Sequence, residues 1–372
     1  MTSKISVLKE QINNYFHTTY LAKYPLEIHD MLIHLFNDGK RIRPILFTAF
    51  NDIETVDIDE TTRNVNVNIW LQYAIDIELI HCLSLVMDDL PEMDDELERR
   101  GKPCFHIIYG IQKTNFFLYY MFSKLSSNIT NFLELHDNTK QNQSVRDNIN
   151  TQLLDDASFL IHHILNNLID GQYIDISSGK LLSRNLDGMI DSNTDIVAKL
   201  ILSLWQDIDT SNCDTIIRNH IILNIKKTGS LFALPIITGF LFQLYKKNLP
   251  YTGVEVILDE FYFPTTDRYN DVNELDNDNM LNLIMTWSLL IGFLFQTSDD
   301  FLDMASDAAR AKPNICILIG ADNSKKLLTT CLATSRVMFD YIIKNTRLIW
   351  PDVRIDSSSI SEIIDLIETR MQ

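Results

Sequence analysis

The chain has 372 residues, 46% of them hydrophobic, with only 11 glycines and 9 prolines and a net charge of −18. So many apolar residues with so few turn formers favour a helical core and argue against an all-β fold. The acidic balance excludes nucleic acid and anionic lipid as main partners, and leaves any anion site to a few local clusters of Lys and Arg.

From the N-terminus, apolar periodicity predicts helices over 4–21, 25–36 and 41–50. The opening MTSKISVLKEQINNYF is amphipathic and lacks the apolar stretch of a secretory signal. Gly39-Lys40-Arg41-Ile42-Arg43-Pro44 places Lys40 and Arg43 on one side of a helix start, where both suit phosphate oxygens. The next predicted helix, 66–90, carries His81 and runs into a first acidic cluster, Asp88-Asp89-Leu90-Pro91-Glu92-Met93-Asp94-Asp95-Glu96. His81 shares a helical face with Asp88. Asp88 and Asp94 would face different ways on an ideal helix. Pro91 between them predicts an irregularity that returns Asp94 to the side of Asp88. A second basic group, Arg99-Arg100-Gly101-Lys102-Pro103, follows at once.

Helices are then predicted over 105–126, 151–177, 192–207 and 216–246. The last contains a third basic group, Lys226-Lys227-Thr228-Gly229-Ser230, without the glycine spacing of a P-loop. Its apolar Gly229–Tyr245 stretch is at the short limit for a membrane span and contains Pro235, so it reads as a core helix. Helix 280–305 ends in a second acidic cluster, Gln296-Thr297-Ser298-Asp299-Asp300-Phe301-Leu302-Asp303. Asp299 and Asp303 lie roughly 40° apart on the helix, and Gln296 shares their face. Helices over 323–346 and 358–371 complete the chain. Polar stretches at 51–68, 136–151, 207–213 and 265–279 separate these elements. With no repeat and no long linker, the expectation is a single all-α domain spanning 1–372. Cys82, Cys104, Cys213, Cys316 and Cys331 are scattered, so neither a disulfide framework nor a zinc site is expected, and a soluble cytoplasmic protein follows.

Carboxylates crowded at the end of an apolar helix repel one another and lose hydration. A bound hard cation removes both costs, and ligand sets of oxygen alone suit Mg²⁺. Taken singly, an acidic run is a solvated helix cap and a basic run a surface cluster. Two such acidic clusters, about two hundred residues apart and accompanied by three basic groups, point instead to a metal–diphosphate site where the two helix ends meet.

These motifs resemble those of isoprenyl diphosphate synthases. Asp88 to Asp94 with Arg99 to Pro103 is similar to the first aspartate-rich motif in its longer DDxxxxD form, as in geranylgeranyl and bacterial farnesyl enzymes. Gln296 to Asp303 resembles QxxDDxxD, Gly39 to Pro44 resembles GKRxRP, Gly171-Gln172-Tyr173-Ile174-Asp175 resembles GQxxD, and Lys227-Thr228-Gly229 resembles KTG. Five motifs in family order span about 39–320. The resemblance implies an isoprenoid-synthase fold, a single-domain helical bundle around a central cavity, and a trans-prenyltransferase that condenses isopentenyl diphosphate with an allylic diphosphate. It implies Mg²⁺ held by Asp88, Asp94 and Asp299, with Asp89, Asp300 and Asp303 in or beside the ligand set. Arg99, Lys227, Gln296 and Lys312 would surround the allylic diphosphate; Lys40, Arg43, His81 and Arg100 would hold isopentenyl diphosphate; Thr228 and Gln172 would line the reacting centre. A homodimer is implied as well. Ser84 and Leu83, four and five residues before the first aspartate, are not aromatic, which favours geranylgeranyl over farnesyl diphosphate.

The chain departs from the family pattern in three places. Met87 stands where His is common, and Cys104 where Thr is common. The stretch after Asp303 is shortened: Lys312 matches the second of two usual lysines, the first is missing, and Arg310 is a candidate substitute. Two other functions fit parts of the pattern. A non-catalytic partner subunit of a heteromeric synthase would usually have lost aspartates, and a class I terpene cyclase would usually lack GKRxRP.

Overall fold

Apolar residues spaced for helices, with few breakers, leave little but helix to form, and α-helices dominate the computed structural model. It describes residues 4–36, 39–51, 65–130, 151–176, 186–205, 215–247, 249, 277–310 and 312–370. Of the predicted polar stretches 51–68, 136–151, 207–213 and 265–279, residues 52–64, 136–150, 207–213 and 265–276 lie outside the described residues, as does Cys213. The chain divides into two compact units, 1–49 with 53–149, and 50–52 with 150–372.

The first unit contains α1 (Lys4–Tyr15), α2 (His29–Phe36), α3 (Ile42–Phe50), α4 (Val65–Asp88), α5 (Phe105–Tyr109) and α6 (Ile111–Thr130). Its central helix, α4, is apolar on nearly every side and is correspondingly buried, with Ile75, Leu79, Ile80 and Leu83 at 1% exposure or less. The predicted helix 105–126 is two helices, because Gly110 adopts φ 77° and ends α5. A two-residue hairpin, β1 (Glu98–Arg99) with β2 (Lys102–Pro103), interrupts the helical pattern. Its turn residues Arg100 and Gly101 both take positive φ, 53° and 76°, as a tight hairpin of this hand requires.

Two buried ionisable groups on α4 are held by polar partners within this unit. Arg41 donates to Glu78 at 3.3 Å, to the Phe36 carbonyl at 2.5 Å and to Asn13 at 3.0 Å. Asp76, fully buried, accepts from the Tyr20 hydroxyl and, at 3.3 Å, from Asn128. Burial raises the Asp76 carboxyl to about 7, although both hydrogen bonds pull the other way. The unfolded carboxyl titrates near 3.9, so the folded state binds the extra proton between about pH 4 and 7. Stability contributed by the neutral acid is therefore present below pH 4 and is lost as pH rises through 7. Asp76→Asn is expected to exceed the parent in stability at pH 8 and to match it near pH 4, as urea unfolding at the two pH values would reveal.

The second unit contains α7 (Thr151–Ile176), α8 (Ser192–Leu204), α9 (Thr215–Asn224), a π-helical turn (Ile225–Gly229), α10 (Ser230–Lys246), α11 (Asn277–Arg310), α12 (Ile315–Ile319), α13 (Ala321–Ile349) and α14 (Ser357–Thr369). Helix α11 packs against α10, α13, α8 and the π-helical turn, and α7 packs against α10 and the same turn. Trp287 of α11, fully buried, donates to Ser335 of α13 at 3.0 Å and stacks on Phe339. Side-chain caps set several starts: Asp191 for α8, Asn314 for α12 and Asp356 for α14.

Among the described residues three helical spans, Ile69–Asp88, Thr215–Lys246 and Met280–Arg310, could cross a membrane by length and composition, where the sequence had suggested one short candidate. Their apolar windows are 78%, 94% and 89% buried inside the protein. The four described cysteines, Cys82, Cys104, Cys316 and Cys331, are buried free thiols.

Candidate active site

In the first unit the site residues gather at the C-terminal end of α4. The helix stops at Asp88, and the chain turns back through bonds from Leu90 N to Met87 O, Met93 N to Leu90 O and Asp95 N to Leu90 O. Asp94 N donates to the Asp88 carbonyl at 2.9 Å, so Asp94 returns beside Asp88 as Pro91 predicted. Asp88 is half-buried and Asp94 exposed. Asp89 is buried, and Arg99 grips both its oxygens, Nε at 2.8 Å from each and Nη2 at 2.5 Å from one. This is a strong charge-assisted contact, and it fixes the hairpin to the acidic turn.

Arg43, Arg99 and Arg100 all act on His81. Burial first, then the charges of Arg43, Arg100 and Arg99, hold its imidazole well below the usual range, so it is neutral. Its buried Nδ1 has no hydrogen-bond partner among the described residues. A neutral ring with an open polar atom, near three guanidinium groups, is electrostatically suited to an anion. The basic motif before it needs one correction. Helix α3 begins at Ile42, so Lys40 precedes the helix and is exposed. Arg41 adopts φ 60° and turns inward, its guanidinium 3.7 Å from the Phe36 ring centroid, so the middle residue of the motif is a core anchor. A cavity of about 70 Å³ opens beside Asp89, Arg99, Arg100 and Lys102, with His34 and Phe105 in its wall.

In the second unit three helical segments approach so closely that only glycine fits at the crossings. A Cβ on Gly171 of α7 would sit 2.6 Å from Lys227 N. One on Gly292 of α11 would sit 2.5 Å from Gly229 Cα and 2.8 Å from Thr228 O. These contacts bring GQxxD, KTG and QxxDDxxD together. Lys227 Nζ donates to Asp175 at 2.5 Å. Thr228 Oγ1 donates to Gln296 Oε1 at 2.8 Å, Gln296 Nε2 donates to Asp300 at 2.8 Å, and Asn224 donates to the other Asp300 oxygen at 3.3 Å. Gln172 is buried one residue beyond Gly171. Asp299 is half-buried and accepts from Arg370 Nη1 at 2.7 Å, while Asp303 is exposed. Helix α11 runs beyond the predicted 305 to Arg310, through the shortened stretch, and Lys312 lies just past its end.

Sequence reading missed Arg370, Asn224 and Gly292. Gly292 carried a signal, an isolated glycine in an apolar helical run. Arg370 and Asn224 carried none, since each reaches its aspartate from more than seventy residues away.

Among the described residues no three His, Cys, Asp or Glu side chains already stand as a metal-binding group. The donor chemistry nevertheless fits Mg²⁺. Burial raises Asp300 to about 7, and Asp307 and Asp299 add to the shift against the pull of Gln296 and Asn224. A carboxylate so crowded is stabilised in its ionised form by a nearby divalent cation. Asp88 and Asp94 in the first unit, and Asp299 and Asp303 in the second, are each carboxylate donors of the oxygen type that Mg²⁺ takes.

Residues 25–252 match the family model described as polyprenyl synthetase, more than half of the chain. The match covers the basic, first acidic, GQxxD and KTG motifs and ends before Gln296. A heterodimeric geranylgeranyl pyrophosphate synthase large subunit of Arabidopsis thaliana is 37% identical over 29% of this chain and 27% of its own length. A geranylgeranyl diphosphate synthase of Cyanophora paradoxa is 37% identical over 27% of this chain and 31% of its own. Each match thus spans less than a third of the relative. Among solved structures, a geranyltransferase of Helicobacter pylori complexed with magnesium and isoprenyl diphosphate aligns over 99% of both chains at 15% identity, with a TM-score of 0.58. One from Legionella pneumophila aligns over 98% of this chain and 96% of its own at 18% identity, with a TM-score of 0.56. At such identities the structural likeness concerns the fold, which is all-α and of the isoprenoid-synthase kind.

Proposed function

The chain belongs to the polyprenyl synthetase family, and from that premise we propose that it is a Mg²⁺-dependent prenyltransferase joining isopentenyl diphosphate to an allylic diphosphate. The observation that carries the reading is the hydrogen-bonded array Thr228–Gln296–Asp300 with Lys227 beside it, three separated motifs assembled by glycine contacts.

In this reading Asp88, Asp94, Asp299 and Asp303 would hold Mg²⁺; Arg99 holds Asp89, and Gln296 with Asn224 holds Asp300. Bound Mg²⁺ supplies Lewis-acid neutralisation of the departing diphosphate. Arg99 and Lys227 add fixed positive charge on the allylic side. Lys40, Arg43, Arg100 and neutral His81 bind isopentenyl diphosphate, its phosphate oxygens balancing the guanidinium charge. Thr228 and Gln172 orient the reacting carbons, and the apolar helix walls exclude water. Lys312, just past the end of α11, would meet the allylic diphosphate.

We assign geranylgeranyl diphosphate as product and a cytoplasmic homodimer as the working state. For the product, Ser84 is small and buried, its hydroxyl turned to the His81 carbonyl at 2.8 Å, and Leu83 is not aromatic. Ser84→Phe is expected to shift the product ratio toward farnesyl diphosphate by about tenfold, the scale on which apolar pockets discriminate, when products are sized by chromatography. For the dimer, α6 exposes Phe116 and Tyr119, and one face of α7 exposes Phe159, Ile169, Tyr173 and Ile176.

The test is incubation of the purified chain with isopentenyl diphosphate, Mg²⁺ and each of dimethylallyl, geranyl and farnesyl diphosphate. Geranylgeranyl diphosphate is expected. No prenyl product with any primer would instead favour a non-catalytic partner subunit.

A further inference from the structure

Lys226, not only Lys227, is set in an unusual environment. Its side chain is 1% exposed in a π-helical turn. A buried ammonium is costly unless every donor is met. Here Nζ donates to Asn167 at 2.5 Å, Asp191 at 3.2 Å and Asp170 at 3.4 Å, three acceptors for three donors. Asn167 and Asp170 lie one turn apart on α7, just before Gly171. Asp191 is the N-cap of α8 and is itself held by Thr194 N at 3.0 Å, by the Thr194 hydroxyl and by His163. Burial opposes ionisation of Asp191, but the hydrogen bonds from His163 and Thr194, with the charge of Lys226, outweigh it and keep the carboxyl well below the usual range.

A π-helical turn accommodates one more residue than an α-helical turn and rotates whatever follows it. The residues that follow Lys226 are Lys227, bonded to Asp175, Thr228, bonded to Gln296, and Gly229, against Gly292. We propose that Lys226 is a positioning residue: its three-point anchor to α7 and α8 fixes the register of the π-helical turn and so aims Lys227 at the allylic diphosphate and Thr228 at the reacting centre. The inference rests on the prenyltransferase reading for its kinetic consequence, and on geometry alone for its structural one. Misplacement by about an ångström costs up to a hundredfold where reacting groups must be aligned. Loss of the anchor therefore acts on the allylic side and leaves isopentenyl diphosphate binding intact.

The test uses the full chain with Lys226→Arg, Lys226→Gln and the double variant Lys226→Gln with Asp191→Asn. The double variant keeps an N-cap at 191 and leaves no unpaired charge at that pair, so it is the one designed to fold if Lys226→Gln does not. Hydrogen exchange of the amides of 225–229 is followed with kcat and the two KM values. The expected result for the double variant is faster exchange in that turn, at least tenfold lower kcat/KM for the allylic diphosphate, and an isopentenyl diphosphate KM within twofold of the parent. Lys226→Arg is expected to recover part of the loss. Parent-like exchange together with parent-like allylic kinetics in the double variant would overturn the proposal, as would equal losses for both substrates. If the parent chain makes no prenyl product, the prenyltransferase reading fails by itself. The exchange result then decides whether Lys226 sets the turn.

Discussion

Asp299→Ala is expected to lower prenyl transfer about a thousandfold, the scale of a lost metal contact worth several kcal/mol in the transition state. Helix α11 aims Asp299 from the second acidic cluster one residue before Asp300, whose oxygens are already held by Gln296 and Asn224. In the proposed reading Asp299, the more solvent-facing of that pair, is the carboxylate that meets the cation. Its side chain is 39% exposed and its ion pair with Arg370 is partly solvated. Exposed pairs of this kind contribute about 1 kcal/mol or less, so the melting temperature should fall by only a few degrees. Asp299→Asn, which keeps the shape and removes the charge, should be nearly as inactive. Steady-state kinetics alongside thermal melts would check both. Turnover within tenfold of the parent would count against Asp299 as a ligand.

Gly292→Ala has the opposite profile, with its effect carried by packing. The added carbon meets Gly229 Cα, Thr228 O and Gly229 N at 2.5, 2.8 and 3.0 Å. All three are backbone atoms, so no side chain can swing aside, and α11 or the π-helical turn must move. A loss of about 3 kcal/mol is expected, at the upper end for one added carbon in a packed core. At two to four degrees per kcal/mol in a unit of this size, that is roughly 9 °C in melting temperature. The same displacement separates Thr228 from Gln296, so the folded fraction should also lose activity. Gly188→Ala is the control, since a Cβ there meets nothing within 4 Å. Similar melts for the two variants would contradict the close-approach account.

Much of this architecture was legible because long helices announce themselves. The period of apolar residues located nearly every helix to within a few positions, and Pro91 announced the turn that returns Asp94 to Asp88. What periodicity could not convey is what depends on partners distant in sequence. The π-helical turn at 225–229 is invisible to a window that assumes uniform helix, because Lys226 finds its acceptors on α7 and α8. Lys40 and Arg43 looked like helical neighbours only until Arg41 turned inward in a left-handed conformation. The engagement of Asp299 by Arg370 joins residues seventy-one positions apart, and no local pattern encodes it.

In the proposed reading, divalent ions bound by both acidic clusters hold the diphosphate. Calorimetric titration of geranyl diphosphate into the parent chain, Asp88→Ala and Asp299→Ala, each with Mg²⁺ and with EDTA, tests that. Binding by the parent in Mg²⁺ only, and its loss in both variants, is the predicted result. Equal binding in EDTA, or parent-like affinity in either variant, would contradict it.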